Sequence, residues 1–338
     1  MGNKANLLEF IIPEIMSITR PGETICDIMA GTNSIGYALK NRNKIISNDI
    51  QYYSYILGEC LLRMKTVPDK ETIRKEIEDK YEENIKSKIY TYFVDNYTDT
   101  YFSEDLCREI DSLRYAIENA GENKAFYLTL LMSAMCKAQS TTGHFAQFLP
   151  KQHSRVKSLR KISINNLFFE KVEDFSKYVF SKEENLCFNL DYNQLFELDF
   201  VKASDCFYLD SPYTTDQYSR FYHILETICK YDYPVLNHKA KYREDRSKSL
   251  FCYKKTVKQE FEKIISYCAK QRASLIISYS DHGVISYLEI EQIAKKYYNN
   301  VVIKKRDFAH SSQGAGVIDI NEILIIMNKE NVKNESGL

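Results

Sequence analysis

The chain has no tryptophan, no excess of either charge and no pair of cysteines close enough to share a ligand. Lysine plus arginine and aspartate plus glutamate number 46 each. Whole-chain basicity therefore announces no polyanion, and any case for nucleic acid must rest on local patches. The nine cysteines, at positions 26, 60, 107, 136, 187, 206, 229, 252 and 268, include no Cys-x-x-Cys, and the six histidines supply no ligand pair either. That excludes a zinc site or a thioredoxin-like centre by spacing, so no metal is expected and the thiols read as reduced and mostly buried. No Gly-x-x-x-x-Gly-Lys-[Ser/Thr] is present, which disfavours a nucleoside triphosphatase. No apolar run approaches the ~20 residues of a membrane span. The opening residues also lack the apolar core of a secretory leader, so the expected address is the cytoplasm, without a membrane partner.

What is present is a series of apolar strands that each stop at an acid. At 338 residues the chain is long enough for one large domain with an insertion, or for two domains. Residues 24–27 form a short strand ending at Asp27, followed by the small-residue turn Met29-Ala30-Gly31-Thr32 and a helix start. Such a unit brings backbone N–H groups close to a ligand, and an acid at its strand end suits a cation or hydroxyl better than a phosphate. Residues 44–50 form a second strand ending around the acid Asp49 beside Ile50, about 20 residues after the glycine turn, where dinucleotide-binding sheets hold a ribose through its hydroxyls. A third strand, residues 186–190, runs into Asp191, and a fourth, residues 206–209, stops abruptly at Asp210-Ser211-Pro212-Tyr213. Open α/β sheets bind ligands at the carboxyl ends of their strands, so these acids mark one edge.

Between residues 61 and 184 this rhythm disappears. Residues 69–90 are rich in Lys and Glu with apolar residues at helical spacing, and residues 124–137 form a strongly apolar helix. Residues 151–161 then carry Lys151, Arg155, Lys157, Arg160 and Lys161 with no acid, interleaved with Gln, Ser and His. That mixture suits phosphate contacts together with hydrogen bonds to base edges. A second basic stretch, residues 239–248, includes Lys241 and Arg243 and reads as a mobile loop that orders on DNA.

Together these stretches resemble the Dam-like N6-adenine DNA methyltransferases. Asp27-Ile28-Met29-Ala30-Gly31-Thr32-Asn33-Ser34-Ile35-Gly36 is similar to that family's cofactor loop, with Met29 for the usual Phe and Asn33 for the usual second Gly; Asn tolerates the left-handed backbone such a turn requires. Gly2-Asn3-Lys4-Ala5-Asn6-Leu7-Leu8 is similar to its opening, and Asp210-Ser211-Pro212-Tyr213 to its Asp-Pro-Pro-Tyr. The run from Gln217 to Ile228 resembles one branch of these methylases closely.

The resemblance implies an α/β, Rossmann-like methyltransferase fold with a mostly parallel sheet, an antiparallel hairpin built from residues 300–306 and 321–327, and an inserted, mainly helical target-recognition domain. Residues 1–61 and 186–328 would be catalytic, residues 62–185 would recognise DNA, and residues 329–338 would be a disordered tail. The cofactor would be S-adenosylmethionine, held by Asn3, Lys4, Asp27, Met29, Ala30, Gly31, Thr32, Asp49, Ile50 and Asp191. For Asp191 the residues themselves leave a second reading open, a cap on the helical turn that follows. Double-stranded DNA would be the substrate, and the enzyme either the modification half of a restriction system, with a cognate restriction endonuclease as partner, or a phage-borne or solitary methylase.

The chemistry implied is demanding in specific ways. Adenine N6 has its lone pair delocalised into the ring, so acceptors must hold the amine protons and stabilise positive charge developing on nitrogen. The Asp210 carboxylate and the Ser211 carbonyl are those acceptors, Pro212 restricts Ser211 to extended conformations, and Tyr213 offers a face to the extruded base. Tyr218, Tyr222 and His223 are candidates for a lid over the base, Tyr222 equally for core packing, and Arg220 for a phosphate; His223 is not needed as a general base. Within enzymes the alternative is N4-cytosine methylation. Outside them it is a catalytically inactive DNA-binding protein on the same fold.

Overall fold

A computed structural model of the chain describes residues 7–141, 143–175, 178–312 and 316–333, without the side chains of Lys70 and of residues 308–320. Nine strands occur among them: β1 (Thr24–Asp27), β2 (Lys44–Asn48), β3 (Leu186–Phe188), β4 (Cys206–Asp210), β5 (Leu236–Asn237), β6 (Tyr242–Arg243), β7 (Ser274–Ser280), β8 (Val301–Ser312) and β9 (Gly316–Met327). The described residues fold into two units, one drawn from residues 7–58, 181–218 and 247–333, the other from residues 59–180 and 219–246.

The first unit is built on a seven-stranded sheet in the order β3-β2-β1-β4-β7-β9-β8. β1 to β4 and β7 run parallel, and β9 then pairs antiparallel with both β7 and β8. β4 is buried up to its last residue, Asp210, and β7 is buried throughout. Burial on both faces is why these strands read as continuous apolar runs instead of alternating ones. Phe207, Leu209, Ile277 and Ile325 from the sheet pack with Phe261, Ile265 and Ile293 from the helices Val257–Lys270 and Tyr287–Tyr297, each such side chain stabilising the fold by roughly 1.5–3 kcal/mol. The helix Leu8–Ile18 carries Pro13 without ending there.

The last residues depart from the disordered tail expected. Residues 329–331 form a turn of 3-10 helix, Lys329 N–H donates to Ser274 Oγ, and Lys329 Nζ pairs with Glu23 and Asp205. Lys333 N–H donates to the Tyr297 carbonyl. A polar composition hid these anchors, which lie far away in sequence. Residues 334–338 are outside the described set.

The second unit is helical with one small ribbon. The helix Lys124–Ala138 is buried nearly all round, the mark of a central helix. Glu104–Glu118 is amphipathic and begins with Ser103 capping Leu106 N–H. Its Asp111 points inward and accepts from Phe93 N–H at 2.9 Å, Val94 N–H at 3.0 Å and Tyr231 Oη at 2.6 Å, so a buried acid caps the start of the neighbouring helix Tyr92–Tyr97. The ribbon pairs Leu236 with Arg243 and Asn237 with Tyr242. Residues 219–246 thus pack with the inserted helices, although the sequence places them in the sheet domain. The stretch expected as a mobile loop is partly β-ribbon, its turn closed by Lys241 N–H donating to the His238 carbonyl.

Candidate active site and nucleic-acid interface

Strand order in the sheet reverses between β1 and β4, and that switch point brings Asp27 and Asp210 to neighbouring strand ends. Asp27 is in register with Tyr208, and Ile28 N–H donates to the Tyr208 carbonyl at 3.0 Å. Crevices at the carboxyl ends of strands flanking such a reversal are where open α/β sheets take ligands.

The turn after β1 is held by its neighbours. Gly31 has φ +52° with no atom within 4 Å of where a Cβ would lie, and Asn33 has φ +59°, the left-handed conformation inferred from its place in the motif. Asn33 also does what glycine could not: its Oδ1 accepts from Ser47 Oγ and its Nδ2 donates to the Ser54 carbonyl. Gly58 makes room for it, since a Cβ there would sit 3.1 Å from Asn33 Oδ1 and 2.9 Å from Cys187 Sγ.

Asp49 is buried and accepts from Gly31 N–H and Gln51 N–H, both at 2.9 Å. It therefore braces the glycine turn from the end of β2. Beside it Ile50 is 47% exposed, an apolar surface next to a carboxylate. Asp27 and Ala30 are buried, Met29 packs against the core, and Thr32 Oγ1 bonds Ser34 Oγ. Asp191 caps the turn Tyr192–Leu195 in a capping box with Gln194, the structural alternative read from its position. Asn3 and Lys4 lie outside the described residues.

Asn48 is the residue the sequence did not single out. Its Nδ2 donates to the Ile28 and Leu190 carbonyls and its Oδ1 accepts from Leu190 N–H. One buried amide thus ties together the loops after β1, β2 and β3. A buried Asn at the end of an apolar strand is the signal that could have found it, because such a group must be fully hydrogen-bonded.

β4 ends as expected: Cys206 to Leu209 are buried and Asp210 emerges partly exposed. Ser211 is 1% exposed, and its hydroxyl has no hydrogen-bond partner among the described residues. Pro212 and Tyr213 are half-buried; the Tyr213 ring packs against the core and meets the Tyr218 ring edge-on at 6.4 Å. On the neighbouring strand Ser278, in register with Asp210, donates from its hydroxyl to Glu322.

In the helical unit, His153 and the helix Ser154–Leu159 bury Val156 and Leu159 and leave Arg155, Lys157 and Lys161 exposed. Lys151 and Arg160 both pair with Asp99. Tyr222 is half-buried at the start of the helix His223–Lys230. Lys241 is half-buried in a left-handed turn at φ +55°.

Two residues differ from the sequence reading. Arg243 is 1% exposed, its guanidinium bound by Asp232 at 2.7 and 2.8 Å and by Asp245 at 2.8 and 3.0 Å. It is a strut of the ribbon and not a phosphate contact, and the same ion pairs hold both carboxyls below their usual range. His223 is likewise buried instead of forming a lid, flanked by the Tyr101 and Tyr242 rings, with Nε2 donating to the Phe145 carbonyl at 3.0 Å. Burial pushes its pKa down to about 3.

Among the described residues, no group of His, Cys, Asp and Glu could hold a metal and no helix is long and apolar enough to cross a membrane. The model of one family, described as D12 class N6 adenine-specific DNA methyltransferase, matches residues 1–284. The chain is 29% identical to modification methylase LlaI of Lactococcus lactis subsp. lactis over all of its own length and 56% of that protein. It is 29% identical to the type II methyltransferase M.FokI of Planomicrobium okeanokoites, over 88% of this chain and 46% of the relative. It is 26% identical to M.NlaIII of Neisseria lactamica over 91% of both. The chain thus spans about half the length of the first two of these relatives and nearly all of the third.

Proposed function

Because the chain belongs to the D12 class of N6 adenine-specific DNA methyltransferases, we propose that it transfers a methyl group from S-adenosylmethionine to N6 of an adenine extruded from duplex DNA, as the modifying arm of a restriction system. The observation that carries this reading is the buried strand β4 ending at Asp210 beside Asp27, at the point where strand order reverses.

The residues at that edge fit the cofactor by their chemistry. Asp27 and Asp49 offer carboxylates, of a kind that suits an ammonium and ribose hydroxyls, Ile50 an exposed apolar face for a purine, and Gly31 a stretch of backbone with no side chain over it. When bound, S-adenosylmethionine supplies an electrophilic methyl group on a sulfonium. The protein's work is on the acceptor. The Asp210 carboxylate and the Ser211 carbonyl accept hydrogen bonds from the two N6 protons and stabilise the charge that develops on nitrogen. This is the charge-reversed counterpart of an oxyanion hole. Tyr213 gives the base a ring to stack on, offsetting the few kcal/mol of unstacking. After transfer the extra proton on nitrogen leaves to water; His223, buried and neutral, takes no part. The sheet unit is then the catalytic domain and the helical unit, with exposed Arg155, Lys157 and Lys161, the DNA-recognition domain.

Replacing Asp210 tests this. Asp210→Ala is expected to lower methyl incorporation into plasmid DNA by about 10²–10³-fold or more while calorimetric binding of S-adenosylmethionine is retained. Full activity in that variant would overturn the mechanism.

A further inference from the structure

The helical unit contains a groove of about 830 Å³ whose lining includes Gln147, Phe148, Arg220, Lys239, Tyr242 and Arg246, and no acid. Its walls come from two separate stretches, residues 146–148 and the ribbon turn 238–246 with Arg220, and both are fixed from beneath. Phe145 N–H donates to the Phe221 carbonyl at 2.9 Å, and Leu149 N–H to the Ser140 carbonyl at 2.8 Å. Tyr101 Oη donates to the Ala240 carbonyl at 2.9 Å. The Tyr242 hydroxyl donates to the Ala146 carbonyl, joining the two walls, and Arg220 Nε donates to that same hydroxyl at 2.9 Å. Arg246 lies over the Tyr242 ring at 4.9 Å and its Nε donates to the Arg243 carbonyl at 2.9 Å. Two guanidinium groups are thus held in place before any ligand arrives, Arg246 on the Arg243 carbonyl and Arg220 on the Tyr242 hydroxyl. Pre-positioned donors lose little freedom on binding.

Above this base the character changes. Lys239 and Gln147 are exposed, and no ion pair engages Lys239 among the described residues. A groove with three cations, one exposed primary amide and a half-buried aromatic ring matches a nucleic-acid strand better than a small metabolite. The cations suit phosphates, and Gln presents the donor and acceptor pair that matches an adenine edge in the major groove.

We propose that this groove takes one strand of the DNA duplex, with Lys239, Arg220 and Arg246 on its phosphates and Gln147 on a base edge, so that Gln147 sets one position of the recognition sequence. The inference rests on the DNA-methylating activity proposed above. Gln147 and Lys239 separate the two kinds of contact, since phosphate contacts position the protein and base contacts specify sequence.

The test uses the full chain. Plasmid DNA is treated with the wild type, Gln147→Ala and Lys239→Ala, methylated positions are mapped by sequencing, and duplex binding is measured across a salt series. Gln147→Ala is expected to relax the methylated motif at a single position, with discrimination there falling about tenfold or more. Lys239→Ala is expected to keep the motif and lower the salt slope of binding by about 1. Both side chains are exposed, so retained S-adenosylmethionine binding serves as the folding control. An unchanged motif in Gln147→Ala, from a wild type that methylates normally, would overturn the assignment of base reading. An unchanged salt slope in Lys239→Ala would overturn the phosphate contact. A wild type that modifies no DNA would instead defeat the activity, while the salt slopes would still report on the groove.

Discussion

At Ser211 two demands meet: in the proposed mechanism the backbone carbonyl faces the substrate amine, and the side chain is buried in the protein. The hydroxyl is buried without a partner among the described residues, and burying a polar group unpaired costs about 1–3 kcal/mol. Ser211→Ala is therefore expected to raise stability by about 1 kcal/mol, read from the urea midpoint, while the methylation rate is unchanged because the carbonyl remains. A fall in kcat would show that the hydroxyl itself touches the base. Other single residues were legible in different degrees. The left-handed backbone of Asn33 followed from its place in a glycine motif, because conformation there is local. The burial of Arg243 did not, since it depends on Asp232 and Asp245 gathering around it in the folded ribbon, and in sequence a buried guanidinium looks like any other basic residue.

Between elements, two buried titrating groups in the helical unit act in opposite directions. His223, on the helix His223–Lys230, is pushed from 6.5 to about 3 by burial. The unfolded chain therefore takes up a proton that the folded one refuses, so this contribution is complete above pH 6.5 and declines by about 1.4 kcal/mol per pH unit as pH falls toward 3. Asp111, on the helix Glu104–Glu118, is pushed up to about 6 by burial, against the lowering effect of its three hydrogen bonds. The folded chain keeps a proton that the unfolded one releases, so this contribution is present below about pH 4 and is lost as pH rises to 6. Between roughly pH 4 and 6 the two cancel. Relative to wild type, Asp111→Asn is expected to make stability rise more steeply with pH in that window, and His223→Phe to make it fall, both measured by denaturant midpoints at stepped pH. The strands that end in acids were visible as apolar runs with abrupt stops. The two-residue strands β5 and β6 were not, because so short a ribbon has no periodicity and is anchored through the side chains of its own Tyr242, on the Ala146 carbonyl, and Arg243, on Asp232 and Asp245.

For the molecule as a whole, net neutrality means that attraction to DNA depends on where cations stand and whether acids already hold them. Lys157→Ala is expected to lower the salt slope of duplex binding by about 1. Arg160→Ala should lower it by less, because Asp99 already engages that guanidinium; equal slopes would argue against the exposed helix face as a phosphate contact. In the sequence the strand rhythm breaks near residues 61 and 184, and in the structure the chain passes between the two units at 58–59 and 180–181. The second piece of the helical unit was hidden, since residues 219–246 continue directly from the Asp-Ser-Pro-Tyr turn and carry no compositional border. That discontinuity bears on how specificity can be inherited or engineered. A unit assembled from two segments, with the Asp-Ser-Pro-Tyr turn encoded between them, cannot be exchanged among relatives as one cassette. Recombination at a single junction would carry residues 59–180 without the ribbon packed against them, so on the proposed reading new target sequences would arise by paired exchange or by changes at individual positions such as Gln147.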